Sequence, residues 1–384
     1  MLILAVEFLD ELVFGVQDAA WTLIRDDLQL DYVKIGLLLS VPGIIANLVE
    51  PVLFILGDLW RRRVIILGGG LLFTIALGFV ASAENFVLLL GALVVFFPAS
   101  GAFVSLSQAT LMDAEPTRRE QNMARWAFAG SLGVFIGPLL LGTLLRVGLG
   151  WRPAFWGLAA VSALMVATAY RRLPASTQPG RPFPSIEELL GGFRLALRLL
   201  ANRLVLRWLI LLEFADLLLD VFYGFLALYL VDEAGVSPVT ATLGVSIWAG
   251  LGLLGDLLLI PLLERVPGVR YLPMSVAATL VLFPAFLLVT PLVPKLALLG
   301  SLGLLNSGWY AILRARLYES APANSGTVLA LDTISGMFGR LLPLVVGGAA
   351  QTFGLANAMW LLLLGPLAML VGLPRGTPLT GKVS

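Results

Sequence analysis

Seven of the thirteen acidic residues in positions 1–178 are followed by another acidic residue 206 positions later. The pairs are Glu7/Glu213, Asp10/Asp216, Asp26/Asp232, Asp27/Glu233, Glu50/Asp256, Asp58/Glu264 and Asp113/Glu319. Unrelated halves would give roughly 0.7 such coincidences, so the chain reads as two tandem copies of one unit. The second constraint is apolar length. Long apolar runs alternate with short polar breaks, and many reach the ~20 residues that a helix needs to cross a bilayer. A membrane-spanning segment must satisfy its own backbone, which leaves helices as the element for runs of this length.

Composition agrees. The 384 residues are 59% hydrophobic and 13% charged, with mean hydropathy +0.95, where soluble domains carry about a quarter charged residues. The net charge of +1 gives no basic face for nucleic acid. Cysteine is absent, which excludes disulfides and thiolate chemistry, and histidine is absent too. Any response near neutral pH therefore falls to carboxylates. Arginine outnumbers lysine, as in GC-rich bacterial coding. The apolar run from Leu2 has no basic lead and no small-residue cleavage site, so it reads as a retained first span.

Twelve spans are expected, near 2–24, 35–57, 64–82, 86–111, 123–146, 153–170, 207–230, 239–262, 270–290, 295–317, 327–350 and 356–373. This is an all-α integral membrane protein of two parallel six-helix repeats. The units are 1–170 and 207–384, joined by a linker, 171–206, that starts Arg171-Arg172-Leu173-Pro174. Within it, Ser185 and Glu188 form a capping-box pattern, and the segment to Arg203 reads either as an amphipathic surface helix or as a lead-in to span 7. With both termini cytoplasmic, 19 of the 25 basic residues fall inside, as the positive-inside rule requires. Arg25, Lys34, Arg146, Arg152 and Lys295 fall outside, and Arg340 falls within a span.

Local motifs carry a family resemblance. Gly57-Asp58-Leu59-Trp60-Arg61-Arg62-Arg63 after span 2 is similar to the G-x-x-x-D-R-x-G-R-R loop of the major facilitator superfamily. It departs at Phe54, Leu59 and Arg61. Glu264-Arg265 echoes it in the second half. Asp113-Ala114-Glu115-Pro116 before Arg118 and Arg119 resembles another family pattern, echoed by Glu319 and Pro322. Span 5 carries Gly130, Gly133, Gly137-Pro138 and Gly142, similar to the glycine-proline motif of the family's antiporters. Gly336, Gly339 and Gly348 repeat three of these positions in span 11. Small residues let helices touch and proline bends them. Span 4 departs from the family's proton-antiport motif, with Pro98 near the expected arginine. The acidic opening of span 1 and the overall layout are similar to fosmidomycin-resistance-type exporters. The resemblance implies a cavity lined by spans 1, 2, 4, 5, 7, 8, 10 and 11.

Ionisable residues inside spans are costly and usually functional. Glu7, Glu11 and Asp18 share one face of span 1, with Asp10 beside them, and Glu213, Asp216 and Asp220 share one face of span 7. Neighbouring carboxylates in a poorly hydrated cavity cannot easily both ionise, which suits them to carry protons. The proton-coupling candidates are Asp10, Glu50, Asp216 and Asp256, then Glu7 and Glu213, for which a gate or helix-dipole role is equally open. Asp58, Glu264 and the arginines of both loops are read as gate residues. Arg340 needs a carboxylate partner from span 7 or 8 and serves as an ion pair or a substrate contact. Asp18, Asn47, Gln108 and Asp220 are further cavity candidates, as are Asn306, Trp309 and Tyr310, with Ser105 and Ser107 beside Gln108.

These features describe a secondary transporter working by alternating access in a bacterial inner membrane. The leading expectation is a monomeric proton-coupled exporter of small organic molecules, with no cofactor. The alternatives are a proton symporter importing a sugar, amine or other nutrient, and a non-transporting receptor or membrane enzyme. The last lacks any H-E-x-x-H, G-x-S-x-G or phosphate-loop motif in this sequence.

Overall fold

The computed structural model describes residues 1–59, 61–114, 119–173, 202–320, 336 and 339–374. The regular elements among them are all helical: α1 (Leu2–Leu28), α2 (Tyr32–Leu59), α3 (Arg62–Ala81), α4 (Phe86–Ala114), α5 (Arg119–Arg146) and α6 (Trp151–Arg172) make the first six spans. Span 7 is α7 (Arg203–Asp216), a π-helical turn over Leu217–Val221, and α8 (Phe222–Asp232). Spans 8 and 9 are α9 (Pro238–Arg265) and α10 (Gly268–Leu288). Span 10 is divided into α11 (Leu292–Asn306) and α12 (Trp309–Ser320). The described part of span 11 includes α13 (Leu342–Phe353). Span 12 is α14 (Leu355–Met359), a 3₁₀ turn over Trp360–Leu363, and α15 (Leu364–Gly372).

Nine helical stretches among the described residues are long and apolar enough to cross a bilayer. The first helix is not one of them, because its acids interrupt the apolar run, yet its 27 residues reach about 40 Å. The interruptions are sorted by burial. Glu7, Asp10 and Gln17 are buried, and the apolar positions between them, Leu9, Val13 and Val16, sit in the main core.

Polar residues set the short turns. Gln29 adopts a left-handed conformation (φ 52°) that ends α1. Asp31 Oδ1 accepts from Lys34 N at 2.8 Å at the start of α2, and Ser237 Oγ accepts from Thr240 N at 3.2 Å at the start of α9. Such caps satisfy amides that the helix leaves orphaned.

Helices touch where glycine permits. A Cβ on Gly137 would lie 2.7 Å from Gly15 C and Val16 N, and one on Gly133 would lie 2.8 Å from Leu12 N. Thus α5 packs its glycine face on the backbone of α1. Between the two halves, a Cβ on Gly36 would lie 2.8 Å from Pro343 O, and one on Gly142 would lie 2.6 Å from Thr242 Oγ1. Gly36 and Thr242 stand 206 positions apart, so these two crossings, α2 on α13 and α5 on α9, are the same contact made once by each repeat.

At the end of the bundle opposite the start of α1, here the far end, side chains join the halves. Arg25 forms a two-pronged ion pair with Asp232, and its Nε also reaches Asp26 Oδ1 at 2.9 Å. Tyr32 donates its hydroxyl to Asp232 and its backbone N–H to Gln351 Oε1 at 3.1 Å. Arg25 therefore bridges both members of the Asp26/Asp232 pair. The next pair works inside each half. Asp27 accepts from Trp151 Nε1 at 3.2 Å and from Arg152 at the start of α6. Glu233 accepts from Ala356 N at 3.2 Å at the start of α14.

Lys295, expected in an outer loop, is buried. Its ammonium donates to Phe286 O at 3.0 Å and Tyr229 OH at 3.2 Å, 5.0 Å from the centroids of both rings. The stem of a lysine packs readily this way when its head finds acceptors. The amphipathic segment expected over 185–203 and Asp332 lie outside the described residues, as do Glu115, Pro116, Arg118 and Pro322.

Candidate functional site

A cavity of about 700 Å³ lies between the halves. Among the described residues its wall carries seven carboxylates: Glu7, Asp10, Glu11 and Asp18 from α1, Glu50 from α2, Asp220 from the π-helical turn and Asp256 from α9. An adjoining pocket of about 450 Å³ adds Glu213 and Asp216 and shares Asp220 and Arg340 with the first. Asn47, Gln108, Asn306, Tyr310 and Arg340 also line the main cavity.

Trp309 does not. Its side chain is fully buried and its Nε1 donates to Ser275 Oγ at 2.7 Å, so it anchors span 10 to α10. Ser105 lines the cavity, whereas the Ser107 hydroxyl turns back to Phe103 O at 2.6 Å.

The Glu50/Asp256 pair keeps equivalent neighbours in the two repeats. Glu50 lies against Gly101 of α4, where a Cβ would stand 2.5 Å from its Oε1. The backbone N–H of Gly308 acts on the Asp256 carboxylate. Subtracting 206 places Gly308 beside Gly101 in register. The helices differ, however. The glycine makes room in a continuous α4, whereas span 10 breaks at Ser307-Gly308, with Gly308 at φ 75°. Carbonyls freed by the break are met by Tyr271 OH, 3.0 Å from Leu305 O and 3.2 Å from Ser307 O. Irregular backbone at membrane depth is tolerated where it lines a cavity.

Other acids have individual settings. Asp10 accepts from Ser100 Oγ at 2.8 Å in a buried contact. Glu7 lies against Gly130, where a Cβ would be 2.7 Å from its Oε1. Asp18 accepts from Trp21 Nε1 at 3.4 Å. Glu11, Asp18 and Asp220 feel one another's charge across the halves. Asp220 sits on the π-helical turn, a distortion frequent at functional sites.

Arg340 faces acids from both halves. Its charge acts on Asp220 of span 7, as expected, and on Glu50 of α2, which was not. Gly43 makes room for it: a Cβ there would be 2.6 Å from Arg340 Cδ.

Gly57 packs closely on Leu106, where a Cβ would be 2.5 Å from Leu106 Cδ2. Arg62 Nε donates to Gly57 O at 3.2 Å, and Arg63 Nη2 to Tyr170 O at 2.6 Å. Arg265 is exposed. The side chains of Asp58, Asp113, Arg119, Glu264 and Glu319 lie outside the described residues.

Sequence reasoning missed Gln17, Tyr223, Trp126 and Trp248, which all line the cavity. The signal was present for two of them. Gln17 and Tyr223 are 206 apart, two polar side chains at matching places in the apolar runs of spans 1 and 7.

A polar cavity between two helical repeats that span a membrane defines a membrane transporter. The family comparison makes it specific: the model of the Major Facilitator Superfamily matches residues 3–344, and the chain belongs to that superfamily. Solved structures agree in fold. The nucleoside transporter NupG superposes with a TM-score of 0.75 at 17% identity, covering 97% of this chain and 96% of that one. A bacterial homologue of the human lysosomal transporter Spinster, in an inward-facing and unoccupied conformation, gives 0.70 at 17% identity, covering 97% and 93%. Its occupied inward-facing form gives 0.71 at 16% identity, with the same coverage. At such identities the likeness is one of fold.

Proposed function

We propose that the protein is a proton-coupled exporter of small organic molecules, exchanging inward proton movement for outward substrate movement by rocking of two units, 1–170 and 207–384, about the central cavity. The linker 171–206 joins them. One observation carries the reading: the acids duplicated between the repeats inside the spans all line the central cavity or the pocket beside it. Glu50 and Asp256 in particular hold matched positions against spans 4 and 10. Buried carboxylates that meet water only when a cavity opens can load and release protons.

The direction of transport rests on the Gly137-Pro138 motif and on the close α1–α5 crossing that it makes. The far end, held by Arg25, Asp232 and Tyr32, is the periplasmic gate, and the end that carries the start of α1 faces the cytoplasm with both termini. The protein works as a monomer in the inner membrane of a bacterium. Glu7 and Glu213 serve the inner gate or the proton path, and Asp10 and Asp216 the proton path.

The test is purified protein in liposomes with an imposed pH gradient and a pH-sensitive dye in the lumen. Substrate should drive proton movement, and Glu50→Gln with Asp256→Asn should abolish it. Gradient-driven transport at the unaltered rate in the double variant would show that these acids are structural.

A further inference from the structure

Two buried polar atoms of residues that line the cavity have no hydrogen-bond partner among the described residues. Gln17 is 3% exposed and lines the cavity, yet its Oε1 has no hydrogen-bond partner among the described residues. The Tyr223 hydroxyl, its mate 206 positions later, is unpartnered in the same sense and lines the same space. Buried polar atoms are paired in nearly all native structures, and those left open ask for a ligand or water.

The surroundings define the ligand. Tyr223 lies in the field of Asp18 and Glu11, and these two acids lie in that of Asp220. Gln17 lines the same cavity as these acids, so a partner that donates to its Oε1 and also balances their charge is a cation carrying N–H groups. Among the described residues of the wall, Arg340 is the one basic residue against seven carboxylates. Its charge acts on Glu50 and Asp220, so the site already holds one nitrogen cation of its own.

Among the described residues no acid grouping has the form of a metal site. A volume of about 700 Å³ fits an organic molecule of ordinary drug size. Phe14, Phe97, Tyr223 and Trp248 line the cavity too, and aromatic faces attract organic cations.

We propose that the cavity binds a protonated organic amine carrying an apolar or aromatic body, its N–H groups donated to Gln17 Oε1 and to the carboxylates of Glu11, Asp18 and Asp220. Asp220 is then shared between the substrate and Arg340. This rests on the transport reading above and adds the substrate class to it. Gln17 is a specificity-determining residue, distinguishing cations that carry N–H from those that do not.

The test uses four probes of one shape: 2-phenylethylamine, its N,N,N-trimethyl derivative, 2-phenylethanol and 3-phenylpropionate. Binding to the purified full chain is measured by calorimetry. The primary amine should bind, the trimethyl derivative at least about tenfold more weakly, and the alcohol and the carboxylate more weakly still, since hydrogen bonds to charged groups are worth about this much. Gln17→Leu should weaken the primary amine about tenfold and leave the trimethyl derivative within about twofold, a difference that loss of folding would not produce. Gln17→Glu, which keeps the acceptor, should retain the amine. Failure of the primary amine to bind, or equal binding of the alcohol or the carboxylate, would overturn the proposal, and so would equal loss of both cations in Gln17→Leu. In liposomes, amine uptake without proton movement would refute proton coupling while leaving the substrate class intact. Proton-coupled movement of the alcohol or carboxylate alone would do the reverse.

Discussion

Neutralising Asp232 should open the far end. Asp232 receives both prongs of Arg25 and the hydroxyl of Tyr32. The Arg25 and Asp232 side chains are 17% and 20% exposed, so the pair lies between a surface ion pair, worth at most about 1 kcal/mol, and a buried one, whose breaking costs about 3–5 kcal/mol. Asp232→Asn preserves shape and one acceptor oxygen, so a loss of about 1–2 kcal/mol is expected for the closed state. In a two-state rocking equilibrium that is roughly a five- to thirtyfold shift toward the form open at the far end. The sequence has no cysteine, so single cysteines can be introduced without removing any. Spin labels at Lys34 and Thr352, from opposite halves at that end, report the distance between them by pulsed electron resonance. Asp232→Asn should add or enlarge a long-distance population. An unchanged distance distribution in a folded, equally stable variant would refute the assignment of this cluster as a latch.

Arg340→Ala should lower the melting temperature, and adding Asp220→Asn should restore part of the loss, because removing one partner leaves the other charge unbalanced. Additive losses in the double variant would contradict that pairing. Gly137→Leu should destabilise by about 1–3 kcal/mol or more, because even a Cβ would lie 2.7 Å from the α1 backbone. Gly91→Ala, with nothing within 4 Å, should be neutral or slightly stabilising, and thermal unfolding of the two variants checks both. Trp309→Phe should lose the bond to Ser275 at a cost of about 1–2 kcal/mol in stability with ligand affinity unchanged, and a change in affinity at full stability would return Trp309 to the cavity.

The fold was legible because its determinants are periodic and coarse. Apolar length placed the spans, and an offset shared by acids exposed the duplication before any helix was placed. The cavity acids were legible for the same reason, since a carboxylate inside a span has few other uses. What escaped were departures from regularity. The division of span 10 at Ser307-Gly308 depends on a tertiary partner, Tyr271, which meets its carbonyls. The π-helical turn at Leu217–Val221 leaves no mark in a leucine-rich run. Arg340 was assigned partners within its own half because linear order hides the approach of α2, which Gly43 permits. Trp309 looked like a cavity residue because an indole on a polar span reads alike on either face, until Ser275 of α10 fixes its direction.

The most direct test of alternating access through one cavity is sided labelling of a single cysteine at Asn47, which lines the main cavity and the adjoining pocket. In oriented membrane vesicles a membrane-impermeant maleimide should react from the cytoplasmic face in the native background. In the Asp232→Asn background it should react from the periplasmic face as well, and at a higher rate than in the native one. Reaction from the periplasmic face at the same rate in both backgrounds, or from that face in neither, would contradict a single cavity opened in turn at its two ends.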